Sequence, residues 1–413
     1  MRALVVSPTL PWPLDAGGRL RTTNLLRELA TRHEITLWCV RQEGADADAV
    51  AALRALGLTL RVFPRAKRGL LQRLGAPPQE SWFWSPALSR ALRELPADAF
   101  DVVHIDELCQ VRALPERGLP PLVQHHHKLD LELAVQLAAS PARAGLESER
   151  WRSLERESVA RTRDHVFCSA EDATRFTARH PEVHTHVVPS GVDLARFVPT
   201  REAREAGHLL LLGSLDYEPN VRGLERFLAT GWARLSAARP QVRLSIVGRA
   251  PDRERFSRLP AGVTLVGEVP DPRPWLARAG ALIVPLEVGG GTRLKLVEAA
   301  AMGCPIVATA VGAEGLAFAN GEHLRTTDGV EALCAALIEE LAQPHRLAQR
   351  ATAARELALE RYGWDRLAAS LEEAWLAAAQ SERSPGRRVE APLAASSRAI
   401  AASVISATSS AKS

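Results

Sequence analysis

Apolar positions along this chain gather into short continuous runs, and longer stretches of helical period separate them. Arg2 to Ser7, His33 to Val40, Leu58 to Phe63, Phe100 to Ile105 and Leu122 to His127 read as strands. Runs of this kind, without polar alternation, belong to strands covered on both faces. Helical spacing over about 19–31, 46–56 and 131–161 lies between them, and such alternation predicts a parallel sheet with helices on both sides. A second series follows at His208 to Gly213, Val242 to Gly248, Val263 to Gly267, Ala281 to Pro285 and Pro305 to Thr309, with helices at about 329–341, 345–361 and 364–380. Residues 64–100 break the rhythm, placing basic residues beside Leu70, Leu71, Leu74, Trp82, Phe83 and Trp84. They predict an amphipathic helix pair packed on the domain; the rival reading is a surface for lipid or a lipid-linked acceptor.

At 413 residues the chain exceeds one ordinary core and suits two domains. A formal charge of +4 and a pI near 9.0 suit anionic substrates or a lipid surface. No Lys/Arg block is interleaved with aromatics, so no nucleic-acid partner is expected. Cysteines 39, 109, 168, 304 and 334 stand singly in apolar runs, as buried free thiols of a reducing compartment do. Met1 leads directly into a strand without a signal-peptide pattern, and no apolar run approaches the ~20 residues of a membrane span. The expected location is the cytoplasm, with peripheral contact at the inner membrane surface in view. Residues 381–413 turn to Ser, Ala, Pro and Arg without helical period and read as a disordered tail.

The candidate chemistry centres on ALIVPLEVGGGTRLKLVEAAAMGCPIVATAVGAEGL, residues 281–316. A buried strand, the turn Gly289, Gly290, Gly291, and a helix beginning near Thr292 with Leu294 on its apolar side form an anion site, because free backbone N–H groups and the helix dipole converge there, and Thr292 and Leu294 are counted with the glycines as donor contacts. Arg293 and Lys295 add positive charge at the mouth; lysine occurs only at 67, 128, 295 and 412, which singles out Lys295. Glu298 would repel phosphate and suits two neighbouring hydroxyls, as on a ribose, unless it only favours the helix N-terminus. Gly17 and Gly18, at the first strand-to-helix turn, also let a phosphate or sugar reach the backbone, with Arg19 as a further anion contact. GxGxxG is absent there, which removes a dehydrogenase reading. Asp106 and Glu107 close a strand at its carboxyl end, where doubly wound sheets place ligands. His125, His126 and His127 suggest a metal, but strand neighbours point to opposite faces and cannot all ligate one ion.

EAAAMGCPIVA, Glu298 to Ala308, resembles the donor-binding signature of the retaining glycosyltransferases of family 4, and GGGTRLKLVEA is similar to a branch associated with exopolysaccharide assembly. That signature's first glutamate is replaced by Gly290, and Glu287 is out of register. LVQHHHK resembles the family's donor-facing histidine stretch, with His126 the first choice and His125 and His127 next. Thr185 to Phe197, THVVPSGVDLARF, is similar to the stretch where the family's chain leaves its first domain. In SLDYEPNVRGLERF, Arg222 falls where the family places a lysine against the donor phosphates, and Ser214 replaces an arginine that Arg293 or Arg249 would substitute. IVGR and GEVPD resemble strand ends that wall the base, which brings in Arg249 and Val269; the other reading is ordinary strand-to-helix turns.

The resemblance implies an α/β GT-B fold, with two doubly wound Rossmann-like domains facing across a cleft. An acceptor-side domain would span 1–193, joined by the returning helix 364–380, and a donor-binding domain 194–363. It implies sugar transfer from a nucleotide-sugar co-substrate to an acceptor hydroxyl with retention, on a saccharide or lipid-linked acceptor, without metal or other cofactor. Arg222 and Lys295 would stabilise charge on the leaving diphosphate, and a histidine of the cluster would touch the sugar. The rivals are a nucleotide-sugar epimerase or hydrolase on this fold and a non-catalytic nucleotide-sugar-binding partner of another transferase.

Overall fold

The apolar runs assemble into two parallel sheets. The structure is a computed structural model, and it describes residues 1–41, 47–69, 75–201, 203–252 and 254–383. In the first sheet β1 (Arg2–Ser7), β2 (Glu34–Val40), β3 (Thr59–Phe63), β4 (Val102–Asp106), β5 (Leu122–His126), β6 (Asp164–Phe167) and β7 (His184–Val187) stand in the order β3-β2-β1-β4-β5-β6-β7. The second holds β8 (Glu205–Leu212), β9 (Arg243–Val247), β10 (Val263–Gly267), β11 (Ala279–Val284), β12 (Ile306–Thr309) and β13 (Arg325–Thr327) in the order β10-β9-β8-β11-β12-β13. Each order reverses once, between β1 and β4 and between β8 and β11. At such a switch point the flanking loops part and leave a crevice.

Side-chain alternation fills both faces of each sheet. Ala3 and Val5 of β1 pack with Leu25, Leu26 and Trp375, whereas Leu4 and Val6 pack with Trp38, Val40 and Phe63. In β11, Ala281 and Ile283 join one cluster and Leu282 and Val284 the other. All five cysteines are buried and free. No helix among the described residues is long and apolar enough to cross a membrane.

The helix Trp364–Arg383 leaves the second sheet and packs on the first, burying Trp364, Leu367, Leu371 and Trp375 in its core. Beside its start, the Val192 N–H donates to the Tyr362 carbonyl at 2.8 Å. A Cβ on Gly191 would come within 2.7 Å of Leu367 and 2.8 Å of the Tyr362 carbonyl. The two strands of chain joining the domains therefore lie against each other, and only glycine fits the contact.

Several elements differ from expectation. The single helix over 131–161 is two, Asp130–Leu137 and Pro141–Arg161, because Pro141 cannot continue a helix and the Ser140 side chain caps the new one. The first helix is Gly17–Leu29, starting at the glycines themselves. β7 and β13 are edge strands, HTHV and RTT, paired on one side and without an apolar run. Among the described residues of 64–100 the helices are Pro78–Trp82 and Pro86–Arg93; Leu70, Leu71 and Leu74 lie outside the described residues. Trp82 is 58% exposed, with the Arg65 guanidinium 4.1 Å over its ring, while Leu88 and Leu92 are buried. The final helix runs to Arg383, and the remainder of the expected tail lies outside the described residues.

Candidate active-site cleft

Loops from the two switch points meet. Gly17 begins the Gly17–Leu29 helix after β1, with no side-chain cap and no acidic residue in its first turn. The Leu294–Ala301 helix after β11 is alike in both respects. Each leaves its first N–H groups and positive dipole end unneutralised at the cleft, the condition for holding an anion.

The lips touch at glycines, and at Gly291 a side chain is excluded. A Cβ on Gly17 would stand 3.2 Å from Leu294 Cδ1, one on Gly18 3.4 Å from His127 Nδ1, and one on Gly290 3.1 Å from Lys128 Cβ. Gly291 is the tightest, with φ +68 and an added Cβ only 2.2 Å from the His127 carbonyl oxygen. The Gly289 N–H donates across the cleft to Gln136 Oε1 at 3.1 Å. Leu294 packs on the first domain's core, so it tethers the lips rather than contacting a polar ligand.

Lys295 and Glu298 lie half-buried on one helix. Lys295 Nζ donates to Asn220 Oδ1 at 3.0 Å, and Asn220 Nδ2 donates to the Ser214 carbonyl at 2.8 Å. A Cβ on Gly213 would come within 2.7 Å of Nζ, so that glycine makes room for the ammonium. Burial, with Arg293 nearby, pushes the Lys295 ammonium down to about 7. Burial pushes the Glu298 carboxyl up to about 7, against the pull of Arg196 and Lys295. The Glu298 carboxylate has no hydrogen-bond partner among the described residues, as a group kept for ligand hydroxyls would be.

Four expected contacts need correction. His126 is buried, its Nε2 2.9 Å from His165 Nδ1 and its ring stacked on Phe167 at 4.8 Å. His125 is also buried, held by Arg21 Nη2 at 3.0 Å. Strand alternation sends His126 to the face opposite His125, and His127, just past the end of β5, is the histidine at the cleft. Arg293 is not at the mouth: it is 7% exposed and donates to the carbonyls of Gly290, Gly291 and Val311, clamping the glycine turn from behind. Thr292 spends its hydroxyl on the interdomain linker, donating to Ser190 Oγ at 2.7 Å and accepting from Ser190 N–H at 3.1 Å.

The remaining residues lie at the rim. Arg222 sits inside the Glu218–Phe227 helix, and its Nε donates to Glu218 Oε1 at 2.9 Å. An exposed pair of this kind is worth about 0–1 kcal/mol and yields readily to an anion. Arg249 bridges the domains, 2.6 Å from Asp216 Oδ2 and 3.0 Å from Asp15 Oδ2, while Asp15 also holds Arg19 at 2.9 Å. Val269 is half-buried against the second domain's core. Glu287 lies 3.9 Å from Arg226 and is not on the glycine turn.

Ring nitrogens of His104 and His125 and an Asp106 oxygen lie within 4.8 Å of one another, a spacing open to a metal ion. The nitrogens that converge are His104 Nε2 and His125 Nδ1, and the opposite nitrogen of each ring already has a donor: Trp375 Nε1 donates to His104 Nδ1 at 3.0 Å, and Arg21 takes His125 Nε2. A cation there would turn a ring N–H toward one of these fixed donors, so the set does not fit a metal. A cavity of about 690 Å³ opens at the other ends of β5 to β7, lined by Arg161 and His180 among others. Both end helices, where basic side chains offset the dipole, so it needs no ligand to explain it.

Residues 16–196 match the family model described as Glycosyltransferase Family 4, and residues 206–343 the model described as Glycosyl transferases group 1. The MMP alpha-(1->4)-mannosyltransferase of Mycolicibacterium hassiacum is 30% identical over 290 residues, 65% of this chain and 69% of that protein. The glycogen synthase of Mycobacterium tuberculosis is 31% identical over 218 residues, 49% of this chain, and the match spans only 51% of the synthase. Among solved structures, Anabaena HepE in complex with UDP and glucose superposes with a TM-score of 0.66 at 17% identity, covering 91% of this chain and 100% of HepE. WaaG, a glycosyltransferase involved in lipopolysaccharide biosynthesis, gives 0.63 at 18%, covering 91% and 99%.

Proposed function

The chain belongs to glycosyltransferase family 4, and we propose that it moves a glycosyl group from a nucleotide-sugar donor to an acceptor hydroxyl. Its paired sheets are the GT-B fold. The observation that carries the proposal is the meeting of two uncapped helix N-termini, each entered through glycine, beside Lys295 and Glu298. The donor diphosphate would lie against those N–H groups, with Lys295 and a released Arg222 neutralising it. Glu298 would accept from the ribose hydroxyls, and His127 would face the sugar. As the C1–O bond to the diphosphate breaks, the leaving phosphate takes the acceptor's proton and the new C1–O bond forms on the same face, which retains configuration. No residue of this scheme needs a metal. HepE was solved with UDP and with UDP-glucose, which makes UDP the first nucleotide to try.

For the acceptor we propose a saccharide or lipid-linked saccharide in polysaccharide or glycoconjugate synthesis. The exposed Trp82, with the Arg65 guanidinium stacked on its ring at 4.1 Å, suits approach to an anionic membrane surface. A second reading, nucleotide-sugar binding without turnover, draws on Gly290, which leaves the turn without a carboxylate.

Thermal unfolding against UDP, GDP and ADP tests the site. A nucleotide at ~100 times its Kd is expected to stabilise the fold by roughly 2.7 kcal/mol. A melt unmoved by all three would overturn the proposal, and a shift without release of sugar from any donor would favour the second reading.

Nucleotide affinity is expected to follow a bell in pH. Lys295 titrates at about 7 when the site is empty, and a phosphate beside it raises that value. Binding then takes up a proton, and affinity falls as pH rises above about 7. Glu298 also titrates at about 7, but accepting ribose hydroxyls lowers its value, so binding releases a proton and affinity falls as pH drops. Calorimetric titration across pH is expected to lose its alkaline limb in Lys295→Ala and its acid limb in Glu298→Gln. A flat profile in the parent chain would remove both assignments.

A further inference from the structure

We propose that Asp106 is the positioning residue of the cleft: it fixes the His127 ring with the proton on Nε2 and presents Nδ1 to the donor sugar. The inference rests on the reading of His127 as the donor-facing histidine.

His127 Nε2 stands 2.7 Å from Asp106 Oδ1. Ser7 Oγ and Thr22 Oγ1 donate to the other oxygen, both at 3.0 Å. Asp106 is 3% exposed, and every group that reaches it is a donor in this arrangement. Behind it, Trp375 N–H donates to His104 Nδ1, and Arg21 N–H meets His125 Nε2. Each neutral imidazole has one N–H and one bare nitrogen. A row of two imidazoles with a fixed donor at either end therefore turns two N–H groups toward each other, here His104 Nε2 and His125 Nδ1, 3.3 Å apart. Relief comes from negative charge beside them: Asp106 Oδ1 lies 3.7 Å from His125 Nδ1, beyond hydrogen-bond distance but close enough to stabilise the facing N–H groups electrostatically. The network thus holds Asp106 as a carboxylate. Burial alone would raise its pKa, but His127, His104 and the Thr22 hydroxyl together outweigh burial and keep it well below the ordinary range.

A carboxylate that only accepts ties down the His127 Nε2 proton. Nδ1 then makes no hydrogen bond among the described residues: it is directed at Gly18, where a Cβ would stand 3.4 Å away, and the Glu107 carboxyl, which burial pushes up, has its nearest oxygen 4.0 Å off. His125 packs edge-on at 4.7 Å and restrains the ring plane. The bare nitrogen is set to accept a hydrogen bond from a sugar hydroxyl.

The test is nitrogen NMR of the full chain labelled in histidine, with His127 assigned by its loss in His127→Gln. At alkaline pH the parent chain is expected to show His127 protonated at Nε2 and bare at Nδ1. In Asp106→Asn that signal is expected to become a mixture of tautomers, while UDP or GDP binds unchanged and turnover of the donor falls. A parent chain protonated at Nδ1 overturns the proposal, even if Asp106→Asn fails to fold. So does an unchanged His127 signal in a folded Asp106→Asn. If no nucleotide binds the parent chain, the functional reading fails, but the tautomer measurement still decides the Asp106 assignment.

Discussion

Gly291→Ala is expected to lower donor turnover by about a hundredfold while both sheets stay folded. The residue has φ +68, a region that costs L-residues about 1–2 kcal/mol, and that is the smaller part of the effect. Its new Cβ would lie 2.2 Å from the His127 carbonyl, backbone that β5 and the Asp106 contact hold in place. The glycine turn has to retreat, and it carries the helix N-terminus and Lys295 away from the first domain. A misplacement of about 1 Å between reacting groups costs about a hundredfold in rate. Gly321→Ala is the control, since Gly321 has φ +83 with nothing within 4 Å of an added Cβ, and so isolates backbone strain. Steady-state turnover beside circular dichroism separates the two. If Gly291→Ala and Gly321→Ala behave alike, the lips do not touch in the working enzyme.

Lys295→Ala is expected to reduce turnover by about a hundred- to a thousandfold, the range for removal of one donor aimed at developing charge in a water-poor site. Asn220 orients the ammonium and Gly213 leaves space for it, so the arrangement is specific to a slim side chain. Lys295→Arg is expected to recover little, because a guanidinium is broader than the space Gly213 provides. Arg222→Ala, at an exposed and already paired position, is expected to cost less. Turnover that falls more in Arg222→Ala than in Lys295→Ala would reverse the roles given to the two cations.

Where the structure was local, it was legible in the sequence. The strand, glycine turn and helix over 281–301 follow from run length, backbone freedom and a helix stop, and they form where expected. Edge strands β7 and β13 escaped because a strand paired on one side needs no apolar run. The histidine choice failed for a different reason: alternation ranks 125 and 127 together against 126, but the sequence does not say which face looks at the cleft. Arg293 illustrates the same limit, since a basic residue at a helix start suits an anion or the turn's own carbonyls equally, and only packing decides. Asn220 and Gln136 carried no signal because an amide side chain has no charge or periodicity to mark it, and its role depends on a partner from a distant segment.

Trp364, Leu367, Leu371 and Trp375 complete the first domain's core, yet the ribosome makes them after the whole second domain. During synthesis the first sheet therefore waits with one face uncovered, and the usual order, in which the earlier domain is finished first, is reversed. A nascent chain halted before Trp364 is expected to carry a settled second domain and a protease-sensitive first one. The act that seals the older half of the molecule is the arrival of the returning helix.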